Sequence, residues 1–169
     1  MQRPNEGEYA PYYNTYISKV PEGNIIDLLT QQIDSVKDTF KNISEEKSLF
    51  KYAPDKWTIR QVLGHVNDGE HIFPYRALQF SRNDKNILFG FDQNEYVKES
   101  NFNNVKLADL LNEFILAREA NIVMFKNFAE EMWTHRGTVS KNEVTVRALP
   151  YIMCGHVTHH LNVIKEKYL

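Results

Sequence analysis

The strongest constraint on the fold of this chain is one pattern, apolar residues spaced three and four apart, recurring in four separate stretches. The first runs from just after Pro21 to about Ser44 and carries Ile25, Leu28, Leu29, Ile33, Val36, Phe40 and Ile43. The second runs from Thr58 to about Arg82 with Ile59, Val62, Leu63, Val66 and Phe73 on one side. The third keeps period through Leu107, Leu110, Leu111, Phe114, Ile115, Ile122, Phe125 and Phe128. The fourth begins between Thr145 and Pro150 and reaches nearly to Leu169. A helix cannot bury its own apolar stripe, so four such segments predict an all-α four-helix bundle.

Local signals support these boundaries. Pro21 suits the first turn of a helix. Thr58 followed by Gln61 is a capping-box pattern, and Pro74 is expected to kink the second segment. Residues 1–21 hold prolines and tyrosines without helical period, and read as an irregular lead-in packed on the bundle. The connection 83–104 between the second and third segments is long for a compact domain, which suggests function. "THRGTVSKNEVTV" reads as a loop with room for a short hairpin.

With 169 residues, one domain spanning 1–169 is the simplest organisation. A net charge of −2 and pI near 6.3 provide no basic field for nucleic acid. The single cysteine, Cys154, excludes an intramolecular disulfide. No apolar run is long enough for a membrane span, and the polar first 24 residues lack the apolar core of a signal peptide. The cytoplasm is the expected compartment.

Chemistry concentrates in "GHVTHHLNVI", residues 155–164. At about 100° per residue, His156 and His160 both fall within about 50° of the centre of the apolar stripe, while His159 lies more than about 100° away. The inward pair stands at i and i+4, where side chains are neighbours and two imidazoles can grip one ion. The zinc-protease signature HExxH is absent, because Val157 occupies the glutamate position. A third ligand is needed. His65 lies at the edge of its helix's core face, His71 points outward, and His135 is in a loop, so geometry favours His65. The competing reading is that these are hydrogen-bonded core histidines, each of which would need its own partner.

The stretches "YAPDKWTIRQVLGHVNDGEHIFPYRALQF", "GFDQNEYV" and "VRALPYIMCGHVTHHLNVIKEKYL" resemble the DinB/YfiT-like superfamily. The resemblance runs from about residue 25 to the end. It implies a four-helix bundle holding a divalent ion, often nickel or zinc, on three histidines that fall on His65, His156 and His160. It also implies thiol-dependent transferases or metal hydrolases among relatives, and frequent homodimers. His71 and Pro74 depart from the family pattern, which suggests a local change in the second helix.

Three activities follow as expectations. The first is a metal-dependent enzyme transferring a low-molecular-weight thiol to a small electrophile, with nickel or zinc, or else iron or manganese, in the site. The second is hydrolysis by metal-bound hydroxide, with Asp68 as candidate general base and Glu70 as a surface or structural salt-bridge residue. The third is a non-enzymatic, metal-stabilised binding bundle. Arg76, on the side of the second helix that carries His65, is a candidate for an anionic substrate group, with a salt bridge as the commoner role. Tyr151 is a candidate for the site mouth, with core packing as the alternative. Cys154 reads as structural, and the remaining charges as solvated helix faces.

Overall fold

The computed structural model describes residues 1–169. Six α-helices and one hairpin follow in order: α1 (Asn14–Ile17), α2 (Ile25–Phe40), α3 (Ile59–Ser81), α4 (Gln93–Glu99), α5 (Leu107–Lys126), β1 (Arg136–Val139), β2 (Asn142–Thr145) and α6 (Ala148–Val163). The four long helices are the four periodic segments. The all-α reading is corrected by the antiparallel β1–β2 pair, in which Arg136 faces Thr145 and Val139 faces Asn142. The lead-in is more regular than its sequence suggested, since a 3₁₀ turn at Pro11–Tyr13 runs into α1. It does pack on the bundle, with Tyr9, Ile17 and Val20 buried.

In the bundle, α2 and α3 stand at opposite corners, each packed against both α5 and α6. Consecutive helices placed diagonally need connections that cross an end of the bundle. Residues 41–58 make one such crossing, and the segment carrying the hairpin makes the other.

The helix ends follow local chemistry. Asn24 caps α2 by accepting from the Ile26 N–H at 2.9 Å, so the helix starts later than Pro21 implied. At α3 the capping box forms in both directions: Gln61 N–H donates to Thr58 Oγ1 at 3.1 Å, and Thr58 N–H donates to Gln61 Oε1 at 2.9 Å. Pro74 cannot donate to the Glu70 carbonyl, yet α3 continues through it to Ser81. The freed carbonyl accepts instead from Asn121 Nδ2 of α5 at 2.8 Å, which keeps a buried acceptor satisfied.

The interior divides into two apolar clusters. One contains Ile25, Leu29, Phe73, Phe80, Phe125 and Ile152, and the other Val36, Phe40, Leu63, Leu110, Phe114 and Leu161. Between them each long helix contributes to a polar layer. Arg118 of α5, wholly buried, donates from Nε and Nη2 to the two Glu70 oxygens at 2.7 and 2.6 Å. Its Nη1 donates to Gln32 Oε1 at 2.9 Å, and Gln32 Nε2 donates to the Cys154 carbonyl at 2.9 Å and Thr158 Oγ1 at 3.0 Å. Glu70 therefore holds a structural ion pair, and Arg118 is no solvated charge. Cys154 is buried, and burial raises its thiol to about 11, which suits a structural residue.

The connection 83–104 is not free chain. Leu88 pairs in parallel with Val139 of the hairpin, and Gly90 N–H donates to Ser140 Oγ at 3.0 Å. Asp92 then caps α4. No helix is long and apolar enough to cross a membrane.

Candidate metal centre

His65 projects from α3, and His156 and His160 from consecutive turns of α6, all toward one point. His156 Nε2 lies 2.9 Å from His65 Nε2 and 3.1 Å from His160 Nε2, and the three potential ligand atoms lie within 4.8 Å of one another. His65 is 6% and His156 4% exposed, so the edge position expected for His65 is in fact interior. His159 is half-buried on the flank, His71 is exposed and pairs with Glu113, and His135 donates from Nδ1 to the Ser81 carbonyl at 3.1 Å.

Each ring nitrogen offers one lone pair or one proton, so three converging Nε2 atoms cannot all be satisfied by sharing hydrogens. A cation at their focus satisfies all three. Nitrogen ligands about 2.0–2.1 Å from a divalent ion stand roughly 3 Å apart when adjacent, which the two short separations match. Burial also keeps these rings neutral: it depresses His65 to about 4, and His156 and His160 well below the usual range, each reinforced by the neighbouring histidines. Neutral imidazole is the ligating form. The donor set fits a first-row divalent ion.

The rings are held by packing. Trp57 lies 5.0 Å from His65, and the buried His65 Nδ1 has no protein hydrogen-bond partner, so aromatic contact orients that ring. Trp57 is itself anchored where Tyr168 Oη donates to its carbonyl at 2.7 Å. Tyr16 meets His156 edge-on at 5.3 Å and His159 at 5.6 Å. It can do so because α1 crosses α6 at Gly155, where a Cβ would come within 2.1 Å of the Tyr16 carbonyl oxygen.

The three histidines open into a cavity of about 460 Å³. Tyr12, Tyr13, Tyr16, Trp57, Phe73 and Phe91 line it with aromatic rings, and Gln93, Ser140 and Asn142 add polar groups to the lining. The tyrosine-rich lead-in is thus part of the site. Its aromatic density was visible in the sequence, but nothing local tied it to residues some 140 positions away.

The other candidate residues separate. Arg76 is buried, lines the cavity, and makes no salt bridge, contrary to the commoner role expected for it. Asp68 does not line the cavity. Burial, with Glu113 nearby, raises its carboxyl to about 6, and its charged neighbours are Glu113 and His71. Tyr151 is 2% exposed in the apolar core beside Arg3 and does not reach the cavity.

A four-helix bundle with three inward histidines from two of its helices could hold a metal ion, and the sequence comparison agrees with the fold. The chain belongs to the DinB superfamily, whose model matches residues 28–164. No curated protein sequence matches it significantly. Among solved structures it is similar to YfiT from Bacillus subtilis, described as a probable metal-dependent hydrolase with an unusual four-helix bundle topology. That likeness has a TM-score of 0.78 at 14% identity, covering 90% of this chain and 95% of that one. It is also similar to a mycothiol-dependent maleylpyruvate isomerase, with a TM-score of 0.70 at 11% identity. There the overlap covers 86% of this chain and 61% of the other.

Proposed function

We propose that this protein is a divalent-metal-dependent enzyme that transfers a low-molecular-weight thiol to a small electrophile. The observation that carries the reading is the set of three converging histidines, two buried and one half-buried, opening on a largely aromatic cavity whose one carboxylate, Glu143, pairs with Arg136. His65, His156 and His160 would hold the ion, nickel or zinc in our reading, which would supply Lewis acidity and favour the thiolate form of a thiol at neutral pH. The thiol proton would then need no adjacent base, and Asp68, which does not line the cavity, is not required. Tyr16, Trp57 and Phe73 exclude water and hold the electrophile in line with the sulfur. One carbon–sulfur bond forms, and the electrophile's leaving group departs with its bonding pair. The thiol dependence named for one structural relative supports this choice.

Hydrolysis is the second reading, favoured by the description of YfiT. Two measurements separate the possibilities. Untagged protein should contain stoichiometric metal that is lost in His65→Ala and His156→Ala; metal-free wild type from metal-replete medium would end both enzyme readings. Turnover of a generic electrophile should then require added thiol, whereas consumption at the same rate without thiol would establish the hydrolase.

A further inference from the structure

We propose that Arg76 forms a carboxylate-binding subsite inside this cavity, so that the small molecule bound there carries a single negative charge. The inference extends the functional reading above by naming a substrate class.

Arg76 differs from the other arginines held in the protein. Arg118 pairs with Glu70, Arg60 with Glu45, Arg147 with Glu8 and Arg3 with Glu22. Arg76 is 4% exposed and faces no carboxylate. Its one hydrogen bond runs from Nη2 to the Phe89 carbonyl at 3.2 Å, leaving Nε and Nη1 without protein acceptors. The unpaired nitrogens keep contact with the cavity, where a guanidinium so little exposed gains from an anion that faces it. The cavity supplies none: its one carboxylate, Glu143, sits 3.7 Å from Arg136 at the exposed rim.

The position is suited to a substrate. Phe73 stands between the guanidinium and the metal centre, its ring 5.8 Å from Arg76 Cζ and 5.8 Å from the His156 ring. A molecule lying along the Phe73 face can place an anionic group on Arg76 and a reacting atom near the histidines. The planar guanidinium matches a carboxylate. Arg76 is the only lysine or arginine in the lining, so a singly charged group is balanced there and a phosphate dianion is not. The hydrogen bond to Phe89 fixes the guanidinium against the connection 83–104, which gives that segment a part in holding the subsite.

The test uses metal-free protein, so that a ligand cannot bind through the ion and Arg76 is the only lysine or arginine it meets in the lining. Benzoate, its neutral analogue benzamide, and phenyl phosphate are titrated by ligand-observed NMR and by thermal shift. Benzoate is expected to bind at least tenfold more tightly than benzamide and to raise Tm, with phenyl phosphate weaker than benzoate. In Arg76→Gln the benzoate preference should fall to within twofold while Tm stays at or above the wild-type value. Equal binding of benzoate and benzamide by the wild type overturns the subsite, as does retention of the preference in Arg76→Gln. Tighter binding of phenyl phosphate overturns the carboxylate assignment. If Arg76→Gln does not fold, the wild-type comparison decides alone. Since no metal is present, failure here is distinct from failure of the metal reading, which elemental analysis measures separately.

Discussion

At the scale of single residues, the three converging histidines and their supports have separable energetics. In the unfolded chain a histidine titrates near 6.5, whereas folded His65 titrates near 4, and His156 and His160 are also depressed. Between these values the unfolded state binds protons that the native state refuses, so stability falls as pH drops from about 6.5 toward 4. For His65 alone the loss is on the order of 3 kcal/mol. Urea titrations of the chelated protein at pH 7 and pH 5 should show this decline, and added metal at pH 7 should raise the midpoint. Trp57→Ala removes the surface that orients His65 and should weaken metal affinity by about tenfold, measured by chelator competition. The His156–His160 pair was legible in the sequence because i, i+4 spacing survives in any helix. The value of Trp57 was not, because it depends on an aromatic contact with a ring one helical turn or more along the chain.

At the scale of elements, each helix boundary has a named cause, and the causes differ in how visible they are. The capping box at Thr58 is a local pattern and could be read directly; Thr58→Ala should lower stability by about 1 kcal/mol in chemical denaturation. The continuity of α3 through Pro74 could not be read, because the remedy lies on another helix. Asn121→Leu should leave the Glu70 carbonyl without its donor and cost about 1–3 kcal/mol in the same assay. The α1–α6 crossing is of the same kind. A lone glycine in "CGHV" does not announce what approaches it, but Gly155→Ala must push α1 away from α6. A destabilisation of about 1–3 kcal/mol is expected, with weaker metal retention as Tyr16 leaves His156.

For the whole molecule, periodicity showed that four stripes exist but not that each is interrupted at its middle. The layer of Gln32, Glu70, Arg118 and the Cys154 carbonyl sits where every stripe changes cluster. In the sequence Arg118 read as a solvated charge and Glu70 as either a surface or a structural salt-bridge residue, since one buried charge is indistinguishable from an exposed one until its partner is placed. Removing one partner should be costly: Arg118→Met leaves Glu70 buried and unpaired, with an expected loss of about 3–5 kcal/mol. The double variant Arg118→Met/Glu70→Met should recover much of that loss, which a double-mutant cycle by denaturation would measure.

The origin of the cavity walls has a consequence for how such proteins diverge. The three histidines stand on α3 and α6, whereas Tyr12, Tyr13, Phe91, Gln93, Ser140 and Asn142 come from the lead-in and the connections. Connections tolerate insertion and replacement far better than packed helices. A lineage with this design can therefore keep one histidine cluster and acquire new ligands by exchanging its peripheral segments, so that neighbours in fold need share little of what they bind.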